Sequence, residues 1–185
     1  DGHLQLNADP EMKKQGVQKS LDQLLGTRDL IQKAGIPVKV VTGAGTGTSE
    51  LVGRNEGVTE IQPGSFLLMD VAYNAIRPEF ACSLSILCTV ISRREKWYVL
   101  DAGSKAISQD FGKPQVKGRP QDQLDRLSEE HARVISTDPS IQVGDRVEVL
   151  PAHCCATMNL HRQVLAIRKG QIEATWPIEA SGRYD

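Results

Sequence analysis

The chain has 185 residues, enough for one domain with a substantial core or for slightly more than one. Its 22 Lys and Arg residues nearly balance 23 Asp and Glu residues, so the formal net charge is only −1. This balance argues against nucleic acid or an anionic membrane surface as a partner, and no apolar run is long enough to cross a bilayer. The four cysteines lack the spacing of a disulfide framework and suit a reducing compartment, so we expect a cytoplasmic protein.

The first predicted element is a helix that begins at Pro10. Asp9 is a favourable N-cap residue, and proline is well tolerated at the first helical position. Apolar residues then recur at helical spacing until the Gly-Ile-Pro segment at 35–37 ends the pattern. A strand over residues 38–42 follows and leads directly into a glycine-rich loop, residues 43–48. A helix, a strand and a glycine loop in this order are typical of an α/β layer.

The glycine loop contains Gly43, Gly45 and Gly47, and it is the first segment that suggests chemistry. Glycine allows positive φ angles, so consecutive N–H groups can turn toward one point, and Thr46 and Thr48 add hydroxyl donors. We therefore predict a site for a phosphate monoester. The loop lacks the G-x-G-x-x-G spacing of a dinucleotide fingerprint and the Gly-Lys-Ser/Thr ending of a P-loop. An ordinary flexible turn is the alternative.

Beyond about Val58 the helical periodicity disappears, and short apolar runs between turn residues predict strands. The predicted strands cover residues 59–70, 83–93, 96–101, 143–150, 161–168 and 171–176. Residues 109–123 are rich in Gly, Pro, Lys and Gln and predict a loop. The chain is thus expected to combine an α/β part, residues 1–57, with an all-β part, residues 58–185.

The segment after the predicted strand 143–150 carries the most specific chemistry. If the extended backbone continues, His153 and Cys155 project to the same side, because side chains alternate along a strand. An imidazole and a thiolate can bind one borderline ion such as Zn²⁺, and so few protein ligands leave the metal open to a substrate. The alternative is a loop histidine beside small buried cysteines.

Several motifs occur in an order that is typical of one family. They are VTGAGTGT at 41–48, TEIQPGSF at 59–66, DAGSKA at 101–106, SEEH at 128–131 and the segment with His153 and Cys155. In this combination the chain resembles the D-threonine aldolase and D-serine dehydratase group. These are metal-dependent pyridoxal phosphate (PLP) enzymes of the alanine racemase-like fold, also called fold type III. The resemblance covers essentially the whole chain from Gly2 onward.

The resemblance implies roles for both parts of the chain. The α/β part would supply the last units of a (β/α)₈ barrel that binds PLP, and residues 58–185 would form the C-terminal β-domain that carries the metal. The glycine loop matches the phosphate cradle of the family, with Gly45 and Thr46 as the contacts. His153 matches the metal-binding histidine, and Cys155 lies at the second ligand position. The implied ion is Zn²⁺, Mn²⁺ or Mg²⁺.

Two departures from the family pattern matter. The position of Cys155 is Asp in several aldolases and Cys in dehydratases of the group, so this ligand favours a dehydratase, whereas the other motifs are nearer the aldolases. The lysine that binds PLP covalently lies at the end of the first barrel strand in the family, upstream of any residue here. Lys105 lies in a β-domain motif and is interpreted as structural. We therefore expect the chain to be a C-terminal segment of a longer enzyme.

The resemblance implies a homodimeric lyase that acts on small β-hydroxy-D-amino acids. In such enzymes the PLP ring accepts electrons, and the metal binds the β-hydroxyl of the substrate and lowers its pKa. This favours retro-aldol cleavage to glycine and an aldehyde. Elimination of the kind catalysed by D-serine or 3-hydroxyaspartate dehydratases is one alternative, and a non-catalytic, metal-binding β-domain is another.

The roles of a few other residues are less specific. For His131 and Asp101, a functional role and a simple turn are equally good interpretations. His161 is expected to be structural or to support the metal site. Cys82 and Cys88 are expected to lie on one face of an apolar strand, within the core.

Overall fold

The computed structural model describes residues 1–183, which divide into two compact units. The first unit contains residues 1–69 and 73–81, and the second contains residues 70–72 and the chain from residue 82 onward. The chain therefore enters the second unit later than the sequence boundary at residue 58. Among the described residues, no helix combines the length and the apolar character that a membrane span requires.

The first unit is built on one long helix, α1 (Pro10–Lys33). The carboxylate of Asp9 accepts hydrogen bonds from the backbone N–H groups two and three positions later, which have no partner within the helix. Val17 and Leu21 are buried and pack in one cluster with Val52. The predicted helix, its cap and the start of its apolar face are confirmed.

Two short parallel strands, β1 (Thr42–Gly43) and β2 (Glu60–Ile61), lie on either side of helix α2 (Ser49–Gly53) in the chain. The predicted strand 38–42 therefore pairs only at its last residue. The predicted strand 59–70 is wrong beyond β2, where the chain continues into a 3₁₀ turn. Apolar and β-branched residues favour extended backbone in both segments, but a strand forms only where a neighbouring strand offers hydrogen bonds.

The second unit contains a six-stranded sheet and a separate hairpin. Its strands are β3 (Ile86–Arg94), β4 (Trp97–Leu100), β5 (Gln115–Val116), β6 (Gln123–Leu127), β7 (Ala132–Ile135), β8 (Arg146–Leu150), β9 (Gln163–Arg168) and β10 (Gln171–Pro177). The sheet is antiparallel with the order β5-β8-β3-β4-β7-β6, and β9 pairs with β10. Two further short helices are α3 (Val71–Asn74), whose residues are divided between the two units, and α4 (Cys154–Met158) in the second unit.

The predicted strands from residue 83 onward are confirmed, with small shifts at their ends, as β3, β4, β8, β9 and β10. Strands β6 and β7 were not predicted, and the predicted loop 109–123 contains β5. The missed strands are short and carry charged residues. Asp125 of β6 and Arg133 of β7 form a cross-strand ion pair with an N–O distance of 2.6 Å, so charged residues that look like part of a loop in the sequence face each other across two strands.

The core of the second unit is formed by alternate residues of the sheet strands. Tyr98 and Leu100 of β4 are fully buried together with Val149, which lies near the end of β8, four positions before His153. Cys88 also lies in this core, as predicted. Cys82 precedes β3 and is only half-buried, so the prediction that the two cysteines share a strand face is wrong.

Candidate functional site

His153 lies between strand β8 and helix α4. Its own backbone is extended, with φ −140° and ψ 112°, but the helix begins at the next residue. The predicted continuation of the strand as far as Cys155 is therefore wrong. Asp70 explains this turn of the chain, because its fully buried carboxylate accepts a hydrogen bond of 2.8 Å from the N–H of Cys154. That bond satisfies a donor that the start of a helix leaves without a partner.

The two adjacent cysteines differ in exposure. Cys154 is only 1% exposed, whereas Cys155 is exposed. The Sγ atoms lie 3.9 Å apart. The hydrogen bond to Cys155 and, after it, burial raise the pKa of the Cys154 thiol far above its usual range. The raised pKa and the burial disfavour the thiolate of Cys154, and the thiolate is the form that binds a metal.

The imidazole of His153 is held by two neighbours that the sequence analysis missed. Its Nδ1 lies 2.7 Å from Oδ2 of Asp110, and its ring stacks on Phe111 with a centroid distance of 3.8 Å and an angle of 12°. Partial burial raises the pKa of Asp110, but hydrogen bonds from Ser108 and His153 outweigh it and hold that pKa below its usual range. Asp110 is thus an ionised acceptor for the His153 ring.

The segment that carries Asp110 is fixed to the chain around helix α4 by two further contacts. The N–H of Ser108 donates to Oγ1 of buried Thr157 over 3.1 Å. Nε2 of His161 lies 2.8 Å from the carbonyl oxygen of Ala106. His161 is therefore structural, in agreement with its expected role. The sequence offered one signal for this segment, since it directly follows the DAGSKA motif at 101–106.

The donor set of this site fits one divalent ion in an open position. In the described part of the chain, Nε2 of His153 makes no hydrogen bond and Cys155 is exposed. No cluster of three or more His, Cys, Asp or Glu side chains is arranged to hold a metal among residues 1–183. Imidazole and thiolate are suitable ligands for a borderline ion such as Zn²⁺. Two protein ligands would leave further positions for water or a substrate.

The glycine loop of the first unit differs from its predicted conformation. All three loop glycines are described by the structure, and none has a positive φ; the residue in that region is Ala44, with φ 67°. Two of the glycines, Gly45 and Gly47, are required instead for close packing against Gln5, and a Cβ on Gly47 would lie 2.1 Å from the carbonyl oxygen of that residue. Gln5 also closes the loop with its side chain, which accepts from the Gly47 N–H at 2.7 Å and donates to Thr48 Oγ1 at 2.8 Å.

The surroundings of Thr46 suit a phosphate group. Its side chain is buried and its N–H makes no hydrogen bond within the described chain. Its carbonyl oxygen accepts from the Arg77 guanidinium at 2.6 Å, and the ammonium of Lys13 lies 3.5 Å from the carbonyl oxygen of Gly47. Burial and then the charge of Arg77 lower the pKa of Lys13. Lys13 and Arg77 place two cations against the loop, which suits an anionic ligand, and carboxylates partly balance them: Asp1 accepts from Thr48 Oγ1, and Glu79 pairs with Arg77. Neither cation was predicted from the sequence.

The thiol environments predict an order of chemical modification in the native protein. Cys155 is expected to react first with N-ethylmaleimide, because it is exposed. Cys88 should be protected, since burial and, less strongly, Asp101 raise the pKa of its thiol to about 12. Peptide mass spectrometry after timed alkylation measures the order, with unfolded protein as the control in which both react. Equal rates for Cys154 and Cys155 in the native protein would contradict the buried position of Cys154.

Comparison with known proteins identifies the family. Residues 83–167 match the family described as putative serine dehydratase domain. A 3-hydroxy-D-aspartate aldolase of Paracoccus denitrificans (strain Pd 1222) is 31% identical over 183 residues, which cover 94% of this chain and 47% of the aldolase. A D-threonine aldolase of Arthrobacter sp. is 34% identical over 161 residues, which cover 83% of this chain and 42% of that enzyme. The chain thus spans about half the length of these curated relatives.

Comparison with solved structures supports the same family. D-threonine aldolase from Filomicrobium marinum superposes with a TM-score of 0.92 at 29% identity, over 98% of this chain and 52% of that one. An alanine racemase-like protein from Idiomarina loihiensis shares the fold, with a TM-score of 0.76 at 21% identity over 94% and 52% of the two chains. The fold is therefore alanine racemase-like. The chain belongs to the D-threonine aldolase and D-serine dehydratase-like family, as its motifs predicted.

Two further solved structures carry substitutions at a histidine and a cysteine whose spacing is the same as that of His153 and Cys155 in this chain. Both are alanine mutants of D-threo-3-hydroxyaspartate dehydratase, each 27% identical to this chain. One replaces a histidine, and the other replaces the cysteine two positions later and is described as the metal-free form. Their TM-scores are 0.74 and 0.71, each over 95% of this chain and over 50% and 51% of the dehydratase chain.

Proposed function

We propose that this chain carries the metal-binding part, and part of the PLP-binding part, of a lyase that acts on β-hydroxy-D-amino acids. The proposed reaction is retro-aldol cleavage to glycine and an aldehyde. The observation that carries the proposal is the pair formed by His153, with Nε2 available, and exposed Cys155. The two aldolase relatives, each more than 30% identical, support the reaction class.

In this proposal His153 and Cys155 are the metal ligands. A divalent ion held there would act as a Lewis acid toward the β-hydroxyl of the substrate. The contribution of the chain is to present Nε2 and the thiolate on a turn that Asp70 fixes at the start of α4. The same two-residue spacing of histidine and cysteine in the dehydratase mutants, one of them metal-free, supports this assignment.

Gly45 and Thr46 are the proposed phosphate contacts of PLP, which supplies an electron sink when bound. The first unit, residues 1–69 and 73–81, would belong to the PLP-binding part, and the second unit to the β-domain, so the boundary proposed at residue 58 moves toward the C-terminus. The two cations that lie against the loop, Lys13 and Arg77, support this role. PLP and the divalent ion are the cofactors of the proposal.

Lys105 is not the proposed PLP-binding lysine. Its ammonium pairs with Glu130 at 2.6 Å and with Glu129 at 3.3 Å, and 60% of its side chain is exposed. The hydrogen bond to Glu130, followed by that to Glu129, raises its pKa, whereas a lysine that attacks a carbonyl must lose its proton. No catalytic residue is therefore assigned within this chain.

We also propose a cytoplasmic homodimer that binds neither nucleic acid nor membrane.

The reaction is tested with the full-length protein, PLP and Mn²⁺ or Zn²⁺. D-Threonine, D-serine and 3-hydroxyaspartate are supplied separately, and glycine, aldehyde and ammonia are assayed. Glycine with aldehyde is expected. Ammonia with a keto acid and no glycine would establish the second candidate, a dehydratase, which Cys155 as the second ligand favours. Failure to hold PLP at all would favour a metal-binding module without catalysis.

The variant Cys155→Asp tests whether this ligand selects the product. If the ligand only holds the ion, a carboxylate should shift the metal preference toward Mn²⁺ or Mg²⁺ and leave the product unchanged. The measurement is the product ratio for each metal, with wild-type protein as the reference. A change of the main product from ammonia to glycine, or from glycine to ammonia, would show that the ligand does more than hold the ion.

A further inference from the structure

We infer that Asp110 positions His153 for metal binding by fixing which ring nitrogen carries the proton. The inference rests on the proposed metal site and deepens it, because it names a residue that would act through a ligand without touching the metal or the substrate. Asp110 has no place among the residues that the motifs predicted. Its role is inferred only from its contact with His153 in the folded chain.

The hydrogen bond between Asp110 and His153 determines which ring nitrogen carries the proton. Oδ2 of Asp110 lies 2.7 Å from Nδ1 of His153. An ionised carboxylate only accepts hydrogen bonds, so Nδ1 of the ring must be the protonated nitrogen. The lone pair is then on Nε2, which is the nitrogen that remains available for a metal. A carboxylate that accepts from the other ring nitrogen also raises the basicity of the ligand nitrogen.

Both partners of this hydrogen bond are held in place. The hydroxyl of Ser108 donates to Oδ1 of Asp110, so each carboxylate oxygen has one donor and the carboxylate plane is defined. Phe111 stacks on the other partner, the imidazole, at an angle of 12°. The ring of His153 is therefore fixed both in its plane and in its rotation about χ2. A metal site with only two protein ligands requires such preorganisation, because there are too few other ligands to pull a misplaced ring into position.

A purely structural role for Asp110 explains less. The Asp110 side chain is 49% exposed, and exposed ion pairs contribute little to stability. The segment is fixed to the chain around α4 by Ser108 N–H to Thr157 and by His161 to Ala106, and neither contact uses the Asp110 carboxylate. Removal of that carboxylate should therefore leave the fold intact and change only the His153 ring.

The test compares Asp110→Ala and Asp110→Asn with wild-type full-length protein. Metal is removed with chelator, and Zn²⁺ alone is titrated by calorimetry with a competing chelator. Asp110→Ala is expected to raise the Kd for Zn²⁺ by about 10- to 100-fold. Asp110→Asn should raise it less, because the amide oxygen can still accept from Nδ1–H. The matched control is Asp125→Ala, which removes a carboxylate that is ion-paired with Arg133 in the same unit.

A second readout needs neither metal nor activity. Nitrogen-15 NMR of histidine-labelled, metal-free protein reports the tautomer of His153. Wild-type protein is expected to hold the Nδ1–H form, and Asp110→Ala to shift the ring toward Nε2–H, while Asp125→Ala leaves it unchanged. His153→Ala identifies the signal.

The outcomes separate the inference from the proposed function. Unchanged Zn²⁺ affinity and an unchanged tautomer in Asp110→Ala, with normal binding by the wild type, would overturn only the role of Asp110. Absence of Zn²⁺ binding by wild-type protein would overturn the proposed metal site and this inference with it. If Asp110→Ala does not fold, Asp110→Asn decides through the same two measurements.

Discussion

Replacement of His153 or Cys155 by alanine is expected to abolish stoichiometric binding of a divalent metal and to remove the lyase activity of the full-length protein. Each variant leaves one of the two proposed ligands, and one side chain does not hold an open ion tightly. Lewis-acid polarisation contributes several kcal/mol to transition-state stabilisation. Turnover should therefore fall by orders of magnitude, while the absorbance of bound PLP persists.

The measurement is the metal content per chain after gel filtration, together with activity and the PLP spectrum. Cys154→Ala is the matched control, because that thiol is buried and its raised pKa keeps it protonated. It should retain metal even if the loss of a buried sulfur lowers stability. Full activity of His153→Ala in chelator-treated buffer would remove the metal from the mechanism altogether. A larger effect of Cys154→Ala than of Cys155→Ala on metal content would reverse the ligand assignment.

Elements with strong local signals could be predicted from the sequence. Helix α1 is an example, because Asp9, Pro10 and the spacing of Val17 and Leu21 lie within a few turns of one another. Strands β3, β4 and β8 have apolar residues that alternate into the core, and this pattern is also local. The family motifs were likewise contiguous, so the family and its fold could be inferred before any geometry was known.

The candidate sites depend on contacts between distant residues, and these could not be predicted. Cys155 is on a helix rather than a strand because Asp70 caps the turn from 84 positions away. The ring of His153 is fixed by Asp110, which lies 43 positions earlier in a segment predicted as an irregular loop. Gln5 closes the glycine loop from 42 positions away. Local patterns name residue types that suit a ligand, but tertiary contacts decide their orientation.

Gly47→Ala is expected to weaken PLP binding strongly, because the new Cβ would lie 2.1 Å from the backbone oxygen of Gln5. The Gln5 backbone cannot rotate out of the way as the end of a side chain can, so the loop and the Gln5 segment must separate, at a cost of about 1–3 kcal/mol or more.

Gly45→Val should also raise the Kd for PLP, since a Cβ there meets the Gln5 side chain at 2.9 Å. Thr46→Ala should cost about 1–3 kcal/mol, as for one charge-assisted hydrogen bond.

Gly43→Ala is the matched control for these loop variants, because a Cβ at this position meets no described atom within 4 Å and the residue does not need a positive φ. It should bind PLP as the wild type does.

PLP is titrated by absorbance against the full-length protein, and the melting temperature of each PLP-free variant is recorded beside the Kd. A variant that loses PLP but keeps its melting temperature identifies direct phosphate contact. Thr46→Ala is expected to lose PLP affinity together with some stability, because its buried hydroxyl also accepts a hydrogen bond of 3.0 Å from the N–H of Phe66. A lower melting temperature together with weaker binding identifies loss of the loop itself, which is the expectation for Gly47→Ala. Equal PLP affinity in the Gly43, Gly47 and Thr46 variants would mean that the loop is a plain turn and that the phosphate is bound elsewhere.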